Sequence, residues 1–174
     1  WAGAGNDILW LSDSFRGQAY GHSGNDQIYI SGACLDAEII GDSGNDVIDC
    51  SMNYYPVVVH AGTGNDTVRA GTGDDWITNN KNWDSYNRDL KVSGSDTVFG
   101  EAGNDKIYYH NSTDDQTLYG DGTTAAAGDG KDEIYGGSGN DKIVGGGAGD
   151  KLFGNAGHDT IYGDFENGTG GGSD

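Results

Sequence analysis

An aspartate recurs in fixed phase with a glycine and an aliphatic side chain along this 174-residue sequence, and no other feature restricts the fold as strongly. The aspartates are Asp7, Asp26, Asp46, Asp66, Asp75, Asp96, Asp105, Asp132, Asp141, Asp150 and Asp159. Two places after each stands Leu9, Ile28, Ile48, Val68, Ile77, Val98, Ile107, Ile134, Ile143, Leu152 or Ile161. Two places before each stands a glycine, with Ala148 the one exception. Ile, Leu and Val make up only 25 of the 174 residues, so eleven matches in eleven units are not chance. Self-similarity at a short fixed period is the mark of a solenoid.

Each unit has a turn half and a strand half. Glycine accepts positive φ and lets backbones approach closely, so a stretch of the type Gly-x-Gly-x-Asp can fold its carbonyls inward. The triplet that follows suits a short extended segment whose middle side chain points inward. Two units then predict one coil of an all-β parallel β-roll or β-helix solenoid: strand, turn, strand, turn. The aliphatic residues stack into a thin core, and the turns stack along two opposite edges.

Neighbours on one edge should lie two units apart. Asp7, Asp26, Asp46 and Asp66 follow one another at about 20 residues on a first edge. Opposite them, Leu11–Ala19, Ala33–Glu38 and Met52–Val57 lack the motif and read as loops without metal. The second edge is expected to begin at Asp75 and continue to Asp96, with residues 78–91 as an excursion on the first edge. The stretch from Asp105 to Asp132 is expected to hide two degenerate units, around Asp114-Asp115 and around Gly120-Asp121-Gly122. The array thus spans residues 1–163, with longer coils over 1–77, an insertion at 78–95 and regular coils of roughly 18 residues over 96–163. Residues 164–174 read as a truncated tail or the start of a further repeat, and the sequence as a piece of a larger protein.

Charge points to what the turns hold. Asp and Glu number 28 against 9 Lys and Arg, a formal net charge of −19. Such a chain will not hold nucleic-acid phosphates or an anionic membrane surface by charge attraction. No stretch approaches the roughly 18 apolar residues of a membrane span. Low hydropathy with high net charge is the composition of a disordered chain, so the folded form needs a neutralising partner. The repeating donors are carboxylates and carbonyls, which suit calcium with its six to eight oxygen ligands. Zinc would want Cys or His in a repeating place, and there is none. About eight divalent ions would leave a net charge of roughly −3.

The clearest copy, Gly136-Gly137-Ser138-Gly139-Asn140-Asp141-Lys142-Ile143-Val144, fits the pattern G-G-x-G-x-D-x-U-x. From about residue 2 to 163 the sequence resembles the RTX (repeats-in-toxin) family, the calcium-binding nonapeptide β-rolls of type I-secreted bacterial proteins. The resemblance implies that the eleven motif aspartates clamp about six to eight ions between stacked turns. The pairs it suggests are Asp7/Asp26, Asp26/Asp46, Asp46/Asp66, Asp75/Asp96, Asp132/Asp150 and Asp141/Asp159. Backbone carbonyls of Gly3, Gly5, Gly24, Gly44, Gly62, Gly64, Gly73, Gly94, Gly103, Gly128, Gly130, Gly137, Gly139 and Gly157 would complete the shells. It further implies a module that folds on calcium outside the cell, supports export through type I secretion machinery and stabilises its neighbours. Its place would be extracellular or the bacterial cell surface.

Two other roles are compatible with the sequence. One is a recognition module of an adhesin or toxin, binding glycan or protein through Trp10, Tyr54, Tyr55, Trp83 and Tyr86. The other is the C-terminal roll of a secreted protease, lipase or alginate-modifying enzyme. No catalytic constellation is expected in this segment itself. His22, His60, His110 and His158 occupy unrelated places in their units and read as a solvated set. Cys34 and Cys50 are either one bridge or two buried thiols.

Overall fold

The computed structural model describes residues 1–79, 93–124 and 129–165. Its strands in chain order are β1 (Gly3–Ala4), β2 (Ile8–Ser12), β3 (Gly17–Ser23), β4 (Gln27–Ser31), β5 (Ala37–Ser43), β6 (Val47–Asp49), β7 (Val57–Thr63) and β8 (Thr67–Arg69). They continue as β9 (Trp76–Thr78), β10 (Thr97–Phe99), β11 (Lys106–Tyr108), β12 (Thr117–Tyr119), β13 (Glu133–Gly137), β14 (Lys142–Gly146), β15 (Lys151–Asn155) and β16 (Thr160–Asp164). The odd-numbered strands form one eight-stranded sheet and the even-numbered strands another. Every pairing is parallel. The chain is thus a parallel β-roll of about seven turns, with no helix among the described residues.

The period-2 geometry of a strand turns one residue of each triplet inward. In the even sheet these stack in register as Leu9, Ile28, Ile48, Val68, Val98, Leu118, Ile143 and Ile161. In the odd sheet the row is Ala19, Ile39, Val59, Ile77, Ile107, Ile134 and Leu152. All but the terminal Leu9, Leu152 and Ile161 are buried. Each buried aliphatic side chain is worth about 1.5–3 kcal/mol. Ala19, Ile39 and Val59 follow no Asp, so the motif does not announce them; they enter the core because their strands lie opposite motif strands.

The order of turns departs from the sequence reading at three places. Edge membership follows the number of strands crossed, not the number of residues. Among the described residues only β9 separates Asp75 from Asp96, and Asp96 lies on the first edge, opposite Asp75. Asp105 and Asp132 are direct neighbours on the second edge, 27 residues apart. Among the described residues one degenerate unit lies between them, the one that ends in Gln116 and β12; Gly120-Asp121-Gly122 follows β12 and is assigned to no strand. Coil lengths beyond Asp96 are therefore uneven, with steps of 20, 25 and 18 residues along the first edge.

On the second edge of the first coils, side chains hold the loops that lack the motif. Asp13 Oδ1 accepts the Ala33 N–H at 2.9 Å, and Asn53 Oδ1 accepts the Cys34 N–H at 3.0 Å. Cys34 and Cys50 are buried and unbridged. His60 is not solvated as the sequence suggested: it is buried, with Nε2 3.0 Å from Glu38 Oε1. Tyr109 is also buried.

Candidate metal centres on the two turn edges

The aspartate of each turn reaches one coil back. On the first edge the N–H of Asp7 donates to Asp26 Oδ1, Asp26 to Asp46, Asp46 to Asp66 and Asp66 to Asp96, each at 2.8–2.9 Å. The ladder then passes through Gln116, whose Oε1 accepts from Asp96 and whose N–H donates to Asp141 Oδ1. It ends at Asp159, which accepts from Asp141. On the second edge Asp75 donates to Asp105, Asp105 to Asp132 and Asp132 to Asp150. Two continuous rows therefore take up all eleven motif aspartates. The suggested pair Asp75/Asp96 is replaced by Asp66/Asp96 and Asp75/Asp105.

Only one oxygen of each carboxylate is used by the ladder. The Oδ2 atoms of Asp26, Asp46, Asp66, Asp105, Asp132 and Asp141 are buried without a hydrogen-bond partner. A buried charge left without compensation costs several kcal/mol. Desolvation by burial, reinforced by neighbouring carboxylates, pushes Asp105 up to about 9 and Asp66 and Asp132 up to about 8. Asp96 rises to about 7 for the same first cause, and Asp46 and Asp141 to about 6. These are the environments in which a cation would be most favourable.

Space for it is built by small residues. A Cβ on Gly21 or Gly41 would lie 2.5 Å from the Oδ2 of Asp26 or Asp46, and one on Gly100 would lie 2.5 Å from that of Asp105. Gly136, Gly145 and Gly154 face Asp141, Asp150 and Asp159 in the same way. The signal was present in the sequence: five places before the motif aspartate stands Gly or Ala in every unit but one, where it is Lys91.

Main-chain oxygens of the turn glycines form a row of their own along each edge. Gly5, Gly24, Gly44, Gly64 and Gly94 stack so closely on the first edge that a Cβ on any of the last four would strike the carbonyl one coil back. Gly139 and Gly157 continue that row, and Gly73, Gly103 and Gly130 form its counterpart on the second edge. Gly3, Gly62 and Gly137 sit in strands β1, β7 and β13. Gly44 has φ 130°, where a side chain is strained as well as obstructed. Gly44→Ala is therefore expected to destabilise the fold by about 2–4 kcal/mol. Gly122→Ala, which meets only the flexible end of Glu101 at 3.1 Å, should change it little. Urea unfolding in calcium checks both.

The donor set fits a hard cation. Among the described residues no three His, Cys, Asp or Glu side chains gather as a metal-holding group, so an ion in these turns would draw on main-chain oxygens. Carboxylate plus carbonyl oxygens suit calcium. Asp75 differs from its neighbours: its Oδ1 accepts from Val57 N–H and its Oδ2 from Gly71 N–H, so main chain already answers both oxygens.

The other sequence candidates are scattered. Trp10 is exposed on β2 and stacks on Tyr29 with ring centroids 4.5 Å apart. Tyr54 and Tyr55 lie in a second-edge turn, rings 4.9 Å apart. Trp83, Tyr86 and Gly128 fall outside the described residues. No helix among the described residues is long and apolar enough to cross a membrane.

Comparison with known proteins adds an independent line. The family model of the RTX calcium-binding nonapeptide repeat (4 copies) matches residues 1–14, 58–80, 92–116, 119–152 and 135–169. No curated protein and no solved structure matches the chain. The unmatched stretch from 15 to 57 holds the loops without the motif, although the first-edge ladder runs through it unbroken. With more than half its length matched, and with motif turns stacked into carboxylate ladders on both edges, the chain belongs to the RTX calcium-binding nonapeptide repeat family.

Proposed function

We propose that this chain is a calcium-folded module of a secreted protein, disordered at low calcium and rigid outside the cell. The observation that carries the reading is the set of buried, unpartnered Oδ2 atoms on Asp26, Asp46, Asp66, Asp105, Asp132 and Asp141. These carboxylates, with Asp96, Asp150 and the terminal Asp7 and Asp159, would hold the ions beside the glycine carbonyls of their own and adjacent turns. Calcium would supply the positive charge that the edges lack. Asp75 stands at the margin of the set.

The energetic logic is simple. Ordering each residue costs about 1–2 kcal/mol in backbone entropy. Each coil buries only about two aliphatic side chains of the repeating rows, too few to offset that cost while like charges face each other along both edges. Folding and ion binding then become one event, as in other metal-built modules. Extracellular modules bind calcium at about 10⁻⁴–10⁻³ M, far above cytosolic levels. A chain of this kind stays unfolded during type I export and sets once outside, where it stabilises whatever adjoins it.

Circular dichroism during a calcium titration tests this. The β signal is expected to grow cooperatively over about 0.1–10 mM calcium. A spectrum that is unchanged across that range would remove the reading.

A further inference from the structure

One rung of the first edge has no carboxylate to offer: between Asp96 and Asp141 the ladder position is Gln116. Its side chain is buried, with both ends of the amide engaged. Oε1 accepts from the Asp96 N–H at 2.9 Å, doing what an aspartate Oδ1 does on every other rung. Nε2 is the amide's counterpart of the second carboxylate oxygen, Oδ2, of an aspartate. It donates to the carbonyls of Gly94 and Asp114 at 2.8 Å each and lies 2.9 Å from Ser112 Oγ.

Those two carbonyls are not arbitrary. Gly94 and Asp114 each stand two places before their ladder residue, in the row that elsewhere runs through Gly5, Gly24, Gly44, Gly64, Gly139 and Gly157. Elsewhere on this edge the Oδ2 atoms of Asp26, Asp46, Asp66 and Asp141 have no hydrogen-bond partner; here the corresponding end of the side chain is an amide NH₂ that donates to two carbonyls of that row. The amide carries two donor hydrogens aimed at oxygens and no net charge. The turn before Gln116, residues 109–116, runs longer than the six residues 100–105 that join β10 to β11. Asp114 Oδ2 ties this turn to the one before it by accepting the Gly94 N–H at 2.8 Å.

We infer that Gln116 is an internal substitute for a cation, so that the rung between Asp96 and Gln116 holds no calcium and is complete without it. This rests on the proposed calcium-binding function and adds to it an interruption of the ion row on the first edge. The coil pair β10–β12 then joins on that edge without waiting for an ion.

Native mass spectrometry of the whole chain in calcium, comparing wild type with Gln116→Asp, is the test. The variant restores a carboxylate, removes the NH₂ and is expected to bind one ion more than wild type. Equal ion counts in two calcium-bound, folded proteins overturn the inference and leave the calcium reading standing. A wild type that binds no calcium overturns the calcium reading itself. Should the variant fail to fold, nuclear magnetic resonance of calcium-saturated wild type decides. The Gln116 side-chain NH₂ protons are expected to exchange slowly with solvent, whereas fast exchange would mean the amide has been displaced from the rung.

Discussion

Excess chelator is expected to expand the chain from a radius of gyration somewhat above about 16 Å to about 44 Å, the values for a compact and an unfolded chain of this length. The elongated roll accounts for the first value lying above the compact one. This is the largest effect the account predicts, because nothing in the fold is independent of the edges. The two sheets share one thin core, and each coil meets only its neighbours, so stability is close to a sum of interface terms. Every such interface on the first edge, from Asp7 to Asp159, passes through a ladder rung. With a net charge of −19 and no neutralising ion, the carboxylate rungs among them repel one another. Small-angle scattering with and without calcium reads the change, and an unaltered radius in chelator would refute it.

The metal-free chain should regain structure on acidification, against the usual trend for carboxylates. In the folded form burial raises Asp105 to about 9, Asp66 and Asp132 to about 8, and Asp96 to about 7, against an ordinary value of 3.8. Asp121 also rises to about 7, and Asp46, Asp75 and Asp141 to about 6, with desolvation first among the causes in each. A group whose folded value is raised favours the fold when protonated. Its contribution is full below the unfolded value of 3.8 and is lost as the pH rises through the folded values of about 6 to 9. Without calcium the fold is thus weakest at pH 8 and above, and the β signal should return as the pH falls from about 8 to about 5.5. Saturating calcium should flatten the curve over that window, because an ion then neutralises each carboxylate in place of a proton. Circular dichroism in chelator across this range checks the sign; a signal that falls on acidification would contradict it.

Much of the fold could be read from residues alone because the repeat couples three chemical needs at fixed offsets. Ile28, Ile48, Ile107, Ile134 and Ile143 are buried where the aspartate phase placed them. Asp26, Asp46 and Asp66 fall on one edge because nearly equal coils preserve the alternation. Alternation is a count of strands, however, and irregular turns hide strands. β9 and β10 follow one another in opposite sheets although Asp75 and Asp96 are 21 residues apart, so residue spacing put Asp96 on the wrong edge. Spacing likewise put a unit at Gly120-Asp121-Gly122, whereas among the described residues β12 is followed in strand order by β13 of the other sheet. Gln116 was missed because a search for carboxylates passes over a neutral residue in the same slot. Leu118, two places on and fully buried, was the mark of the slot. The small residue five places before each aspartate was also legible, but its meaning is clear only when the carboxylate is seen to face it.

Anomalous diffraction from crystals grown in calcium tests the central claim most directly. Peaks are expected beside the Oδ2 atoms of Asp26, Asp46, Asp66, Asp105, Asp132 and Asp141, and none beside Gln116 Nε2. Well-ordered turns with no anomalous density on either edge would contradict the account.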